Sequence, residues 1–277
     1  MTAEPGHDAG RDRDSVHALH HREDVMGTIV TIDVYTRDGR AGAAVQAQLA
    51  RAVAGLHRAD AIFSTWQHDS PVSRLRRGAI TLDQAPPEVG EVLALCATAR
   101  DWSGGWFDPW AMPGGVDPTG YVKGWAAQRA AVAFRAPSIT GVIVNAAGDI
   151  ACTGGLGQGA PFRIGVADPF RPGQLAAIVT LTAAIATSGT YERGAHLIDP
   201  HSGQPRAAVA SASVTGPDLG VADALATGLA VAGEPGLAEV AALPGYAALL
   251  IAHDGSQQWT GGFPLAARRA DPAVPRG

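Results

Sequence analysis

Short strand-like segments separated by glycine and other turn residues fill residues 141–216, and they restrict the folds open to this chain. The segments are GVIVNA, DIACT, FRIGVA, LAAIVTLT, AAIATS, AHLID and ASVTG. Apolar runs this short, bounded by turn residues, are typical of strands. Helical patterns stand before and after them. This order favours an α+β fold with a mostly antiparallel central sheet flanked by helices.

The flanking helices are predicted from 3.6-residue periodicity. Apolar residues from Val45 to Ile62 recur at helical spacing within residues 41–64. Further helices are predicted at 86–102, which has proline in its first turn, at 121–134 and at 219–233, which ends on Gly233. Alternating or continuous apolar residues predict strands at 27–35 and 245–254.

The composition excludes several classes of protein. The formal net charge is −5, with no basic stripe to bind nucleic acid. The first 25 residues hold no apolar run, and no stretch of 18 apolar residues is present. We therefore expect no signal peptide, lipid anchor or membrane span, and a cytoplasmic location. Cys96 and Cys152 lie in apolar settings and are predicted to be buried thiols in a reducing compartment.

Both ends of the chain are polar or proline-rich, and they are predicted to be poorly ordered tails. The predicted boundaries are a tail at 1–22, one domain at 23–267 and a second tail at 268–277. His20 and His21 fall in the first tail, and adjacent histidines of this kind are more often solvated than bound to a metal.

Asp223 and Thr227 are four residues apart in the predicted helix ADALAT, so they share one face of it. A carboxylate and a hydroxyl are hard oxygen ligands of the type that Mg²⁺ selects. The alternative is that Asp223 only caps or solvates the start of the helix. The spacing leaves both interpretations open.

Lys123 is the only lysine among 21 lysine and arginine residues. It lies between Gly120 and Gly124 in DPTGYVKG, where a turn and a helix start bring backbone N–H groups together. Its compact charge suits a phosphate or carboxylate, which an arginine fork does not replace. The motif is not a P-loop, because GxxxxGK[ST] is absent. An ordinary surface lysine is the alternative.

Aromatic residues and a polar stretch add two further candidate regions. Five of the six tryptophans lie between residues 66 and 125, where they either stack on a planar heterocycle or belong to the core. Ser188, His196 and Asp199 lie in the polar stretch 185–205 and have the residue types of a hydrolase triad. The nucleophile elbow GxSxG is missing, which counts against this interpretation.

Seven motifs in this order resemble the FAD:protein FMN transferase (ApbE) family. They are MGTIVTIDVY (26–35), FSTWQHDSPVSRL (63–75), GGWFDP (104–109), DPTGYVKGWAAQRA (117–130), VNAAGDI (144–150), ATSGTYERGAHLIDPHSGQP (186–205) and VADALATGLAVAG (221–233). The resemblance covers about residues 26–252. Its seven collinear motifs are much more specific than any one of them alone.

The resemblance implies a Mg²⁺-dependent enzyme, with Mn²⁺ as an alternative, in which FAD binds in a cleft between two closely packed lobes. FMN passes to a Thr or Ser of a partner protein, and AMP is released. Contacts to the flavin or adenine are implied for Met26, Trp66, Trp106, Phe107, Asp108, Asp117, Lys123, His196 and Leu197. Metal ligation is implied for Gly120, through its carbonyl, and for Asp223 and Thr227. Catalytic roles are implied for Asp223, His196 and Lys123, with Asp223 or His196 as the proton acceptor.

The sequence departs from the family pattern at three places. Only WAMPGGV (110–116) separates Pro109 from Asp117, where the family usually has a long segment. Trp110 replaces a common threonine, and Ala147 replaces a glycine. Two other functions are kept open. One is an FAD pyrophosphatase that uses water as acceptor, and the other is a catalytically weak FAD-binding or storage protein.

Overall fold

A large antiparallel sheet forms the centre of the structure. The structure is a computed structural model, and it describes residues 16–156, 159–189 and 197–268. The strands are β1 Val16–Val25, β2 Thr28–Thr36, β3 Ile139–Ala146, β4 Asp149–Gly154, β5 Phe162–Ala167, β6 Leu175–Leu181, β7 Ala184–Gly189, β8 Ser211–Gly216, β9 Ala247–Ile251, β10 Gln257–Trp259 and β11 Leu265–Arg268. The helices are α1 Ala43–Phe63, α2 Pro71–Arg76, α3 Pro87–Trp102, α4 Thr119–Val132, α5 Leu219–Ala232 and α6 Pro235–Ala242, with a 3₁₀ turn at Leu82–Gln84.

The central sheet has eight strands in the order β1-β2-β3-β4-β7-β8-β9-β10, and a smaller sheet has the order β11-β6-β5. Neighbouring strands in both sheets pair antiparallel. The α+β prediction with a mostly antiparallel sheet is confirmed. Within the described ranges, no helix has the length and apolarity needed to cross a membrane.

The two faces of the central sheet belong to two hydrophobic cores. Val30, Ile32 and Val34 of β2 are fully buried on the helix side. On the other face the Tyr35 ring packs against Phe162 of the smaller sheet, with 5.6 Å between ring centroids. Because strand side chains alternate between faces, β2 contributes to both cores.

Helix α5 lies in the middle of the helix-side core, and every one of its residues except Thr227 is buried. It packs closely against α4 because glycines stand at the contact. A Cβ atom at Gly124 would overlap the Leu219 carbonyl, and one at Gly220 would lie 2.8 Å from the Tyr121 ring. The missing side chains therefore allow the two helix backbones to approach each other.

The first strand corrects one prediction. Residues 16–22 were predicted to belong to a disordered tail, but they form most of β1 and pair along β2. Backbone hydrogen bonds to a strand that would otherwise be an open edge explain this order, and such bonds do not require apolar side chains. Residues 1–15 and 269–277 lie outside the described ranges, while Arg268 ends β11.

Most predicted helices and strands are present, with shifts at their ends. Helix α4 begins at Thr119 and not at residue 121, so Lys123 lies beyond its first turn. Helix α5 ends before Gly233, which has a φ of 73°. The strand predicted in AHLID is reduced, in its described part, to an isolated bridge between Ile198 and Pro205.

Two hairpins turn through a pair of residues with positive φ. Met26 and Gly27 (φ 56° and 67°) connect β1 to β2, and Ala147 and Gly148 (φ 52° and 95°) connect β3 to β4. Two-residue turns of this kind match the twist of antiparallel strands. A side chain at positive φ is strained, since its Cβ approaches the neighbouring carbonyl. Alanine at position 147 is therefore expected to destabilise this turn relative to glycine.

We predict that Ala147→Gly raises the free energy of unfolding by about 0.5–1 kcal/mol, because glycine accepts this φ without strain. Urea unfolding followed by circular dichroism measures the change. Ala167→Gly, at an exposed strand position with ordinary φ, is the matched control and should be destabilising. A loss of stability in Ala147→Gly equal to that of the control would contradict the prediction.

Candidate active site

Helix α5 directs Asp223 and Thr227 toward the start of α4. The Gly124 N–H donates a hydrogen bond of 3.2 Å to Asp223 Oδ2. Gly120 lies one turn before Gly124 in α4, and Thr227 lies one turn after Asp223 in α5. A Cβ atom at Gly120 would lie 3.5 Å from Thr227 Oγ1. Asp223 is only 3% exposed, whereas Thr227 is half-buried. The prediction that the two share one helix face agrees with this geometry, and Gly120 lies beside them.

The end of β7 connects two parts of the site. Ser188 Oγ lies 3.3 Å from Thr227 Oγ1. The neighbouring Thr187 donates its backbone N–H to Asp149 Oδ1 at 3.2 Å, and its hydroxyl lies 2.8 Å from Ser213 Oγ. Consecutive residues of one strand therefore contact both the Thr227 hydroxyl and the Asp149 carboxylate.

Lys123, the single lysine of the chain, forms an ion pair with Asp149. Its Nζ lies 2.6 Å from Asp149 Oδ2, and the Asp149 side chain is fully buried. Burial raises the pKa of Asp149, while the Lys123 ammonium and the Thr187 N–H act in the opposite direction. The Lys123 side chain is 22% exposed, so its charge is also reachable from outside.

Asp149 was not among the predicted site residues. A signal was present in the sequence, because an aspartate opens the otherwise apolar strand DIACT. A buried carboxylate of that kind requires a cationic or hydrogen-bonding partner. Which cation it would meet depends on the packing of α4 against β4, which local sequence does not specify.

The residues around Asp223 fit a hard divalent cation. Asp223 and Thr227 supply oxygen atoms, and Gly120 lies against Thr227. The nearby Cys96 is fully buried, and burial, assisted by the charge of Asp223, raises the pKa of its thiol to about 12. The thiol therefore stays protonated at neutral pH and is not a thiolate ligand. An oxygen donor set of this kind suits Mg²⁺.

The aromatic residues predicted to contact a heterocycle differ in exposure. Trp66 is 94% exposed, in the turn between α1 and α2. Trp106 is half-buried, with the His201 ring 4.7 Å from it edge-on and the Arg206 guanidinium 5.7 Å from its centroid. Phe107 belongs to the core, where its ring packs against Gly120. Trp66 and Trp106 therefore retain more surface for a ligand than Phe107 does.

The other predicted contact residues have mainly local partners. Met26 lies at the β1–β2 turn, and Asp108 Oδ1 accepts the Trp110 N–H at 2.8 Å. Asp117 Oδ1 accepts the Thr119 N–H at 3.0 Å in the turn that precedes α4, while its Oδ2 pairs with Arg76 at 2.8 Å. Leu197 is buried in the helix-side core. His196, predicted both to contact the ligand and to take part in catalysis, lies outside the described residues.

The hydrolase-triad interpretation gains no support from the described residues. Asp199 Oδ1 accepts the backbone N–H of His201 at 2.9 Å, and its Oδ2 lies 3.6 Å from Arg206. The His201 N–H lowers the pKa of Asp199. This carboxylate therefore stabilises its own turn, whereas Ser188 lies beside Thr227.

The fold matches solved structures of one class of protein. The flavin transferase ApbE from Vibrio cholerae aligns with a TM-score of 0.76 and 22% identity, over 88% of this chain and 97% of that one. The ApbE protein of Thermotoga maritima aligns with a TM-score of 0.75, also at 22% identity, over 88% of this chain and 97% of that one. At this level of identity the likeness establishes the fold.

The ApbE family model matches residues 26–114 and 111–250, and the chain belongs to the ApbE family. A curated relative, the FAD:protein FMN transferase of Rhodobacter capsulatus, is 36% identical over 151 residues, which is 51% of this chain and 29% of the relative. The protein of the same name from Escherichia coli (strain K12) is 30% identical over 151 residues, 50% of this chain and 43% of the relative. The chain thus spans less than half the length of these relatives.

We predict that Lys123→Met lowers the free energy of unfolding by about 2–4 kcal/mol, because it leaves the buried Asp149 carboxylate without its cation. The loss should be larger at pH 8 than at pH 5.5. Burial raises the pKa of Asp149, so at low pH the unpaired carboxyl is protonated and no charge is buried. As the pH rises the carboxyl must ionise without a cation beside it, and the free energy of unfolding of the variant falls. Urea titrations at the two pH values measure this.

The double variant Lys123→Met, Asp149→Asn tests the same pair. It should recover most of the lost stability, since an amide oxygen still accepts the Thr187 N–H and no charge remains buried. Arg129→Met, which removes an exposed cation from the same helix, is the control and should change the unfolding free energy by less than about 1 kcal/mol. Equal losses in the single and double variants would refute a role for the ion pair.

Proposed function

We propose that the protein is an FAD:protein FMN transferase. In this reaction the FAD pyrophosphate is cleaved, FMN is attached through a phosphoester to a Thr or Ser of an acceptor protein, and AMP is released. The proposal rests mainly on the Asp223 and Thr227 oxygens, which face the start of α4 beside Gly120. Family membership and the names of the curated relatives support it. A cytoplasmic location remains a prediction.

Asp223, Thr227 and the Gly120 carbonyl are proposed to hold Mg²⁺, or Mn²⁺ in its place. When bound, the ion supplies charge neutralisation at phosphoryl oxygens. The protein's own contribution is to keep these donors together. The Gly124 N–H holds the Asp223 carboxylate in place, and Ser188 does the same for the Thr227 hydroxyl.

Lys123 is proposed to place a second positive charge next to the pyrophosphate. Asp149 fixes the position of the ammonium through the 2.6 Å contact, and an ammonium has three N–H donors with which to contact other groups. Phosphoryl transfer depends mostly on alignment and charge stabilisation, so a lysine held in this way is suited to the reaction. Asp149 acts as a positioning residue for it.

The flavin and adenine rings are proposed to lie against the exposed ring of Trp66 and the half-buried ring of Trp106, because a planar heterocycle that covers them removes apolar surface from water. Met26, Phe107, Asp108, Asp117, His196 and Leu197 are the other proposed contact positions. For the proton of the acceptor hydroxyl, Asp223 and His196 both remain candidates.

An assay of the purified full chain with FAD, Mg²⁺ and a candidate acceptor protein tests the function. In-gel flavin fluorescence measures transfer, and AMP release measures cleavage. Transfer supports the proposal. AMP release without labelled acceptor indicates the FAD pyrophosphatase. FAD binding without AMP release indicates the storage protein. Either result across a panel of acceptors overturns the proposal.

We predict that Asp223→Ala lowers the rate of FMN transfer by about 100-fold or more, because a charged ligand of the cation is lost. Thr227→Ala should lower it by about tenfold, since water can replace a neutral ligand. Excess Mg²⁺ should partly restore the threonine variant only. Rates over a full Mg²⁺ titration measure these effects.

Two control variants accompany this prediction. Asp101→Ala removes an exposed carboxylate at the end of α3 and should transfer FMN at the parental rate. Thr227→Ser retains the hydroxyl and should keep most of the activity. Transfer at the parental rate by Asp223→Ala would mean that the cation binds elsewhere.

A further inference from the structure

Three side chains with metal-ligating atoms meet at the edge of the central sheet, in the β1–β2 hairpin. His17 Nε2 lies 2.9 Å from Asp33 Oδ1, and His20 Nδ1 lies 2.8 Å from the same oxygen. The ligand atoms of the three residues all lie within 4.8 Å of one another. None of these residues belongs to the proposed active site.

A β-bulge brings the two histidines together. Residues three apart in a regular strand point to opposite faces of the sheet. Here the register shifts, so that His17 pairs with Tyr35 while Leu19 pairs with Val34 and His20 with Asp33. The extra residue turns both imidazoles to the face that carries Asp33. Bulges commonly redirect side chains in this way.

The sheet itself separates this group from the active site. Asp33 pairs with Ile143, and Ile143 pairs with Cys152, so these three residues share one face. Asp149 lies three residues before Cys152 in the same strand and therefore points to the opposite face, where it meets Lys123. The two groups can accordingly bind different ligands.

We propose that His17, His20 and Asp33 form a binding site for a divalent first-row transition metal ion of the Zn²⁺ type. Two imidazoles and a carboxylate are ligands that such ions prefer, whereas Mg²⁺ prefers oxygen alone. Ligand atoms on one tetrahedral zinc ion lie about 3.4 Å apart, given bonds of roughly 2.0–2.2 Å. The observed spacing reaches this value through small movements of two exposed rings.

The surroundings of the group suit a site with one open coordination position. The His17 and His20 side chains are 44% and 56% exposed, so an ion and a water molecule have access. The Tyr35 ring packs edge-on against His17, with 5.2 Å between centroids, and is itself held by Phe162. Ion binding would attach the edge strand β1 to β2 and favour the folded state.

Calorimetry with Zn²⁺ alone as the probe tests this proposal. The parent protein in these titrations is the full chain with Asp223→Ala. Excess Mg²⁺ is also present, so that the proposed oxygen site around residue 223 does not bind zinc. We expect one equivalent of Zn²⁺ to bind and to raise the Tm. His17→Ala, His20→Ala and Asp33→Asn should each weaken binding by at least about tenfold, because each removes one of three ligands.

The neighbouring His21 provides a matched control. It pairs opposite Ile32, on the helix face, and its Nε2 lies 2.8 Å from Glu23, which also contacts His57. His21→Ala and His57→Ala should therefore bind Zn²⁺ as the parent does. Equal losses in these variants and in His20→Ala, or no Zn²⁺ binding by the parent, would overturn the proposal.

Co²⁺ spectra separate a metal ligand from a residue that only supports the hairpin. When Co²⁺ is bound in place of Zn²⁺, the parent and His21→Ala should both show the visible absorption of a low-coordinate site with nitrogen ligands. His20→Gln retains a side chain that can hydrogen-bond to Asp33, so it should keep the metal-free Tm and lose the cobalt spectrum. Retention of the parental spectrum by His20→Gln would rule out His20 as a ligand.

Discussion

The close contact between α4 and α5 is the constraint on which the candidate active site depends. Gly124 and Gly220 remove the side chains that would hold the two backbones apart. At that separation the Gly124 N–H reaches the Asp223 carboxylate, and Gly120 lies against Thr227. The same helix carries Lys123, whose ammonium meets Asp149 on β4. A larger side chain at Gly124 would therefore displace the proposed cation ligands and the lysine together.

The polar groups of the site are buried at a cost to stability. Asp149 and Asp223 are nearly inaccessible, and Thr187 and Ser213 are buried beside them. Such groups are tolerated only when each is paired, and here they are linked through β7, where Thr187 contacts Asp149 and Ser188 contacts Thr227. The apolar residues on the rest of α5 offset this cost. Local exceptions of this kind are expected at functional sites.

Periodicity was enough to predict the long helices, most strands of residues 141–216 and the shared face of Asp223 and Thr227. It failed for β1, because VHALHHREDV is polar and its order comes from backbone pairing with β2. It also missed the Lys123–Asp149 ion pair, which joins a helix to a strand that begins after an intervening strand and turn. Long-range pairings of this kind depend on tertiary packing, whereas a pair four residues apart depends only on the helix repeat.

The strand that periodicity missed also changes how the histidines are understood. In a disordered tail, His17 and His20 would have no fixed relation to Asp33, and solvated side chains would be the natural expectation. Once β1 pairs with β2, a single bulge fixes both rings beside one carboxylate. The two faces of the sheet then offer different ligands, oxygen atoms around Asp223 and imidazoles around Asp33. Under the two proposals, the oxygen ligands around Asp223 favour Mg²⁺, and the imidazoles beside Asp33 favour a zinc-type ion.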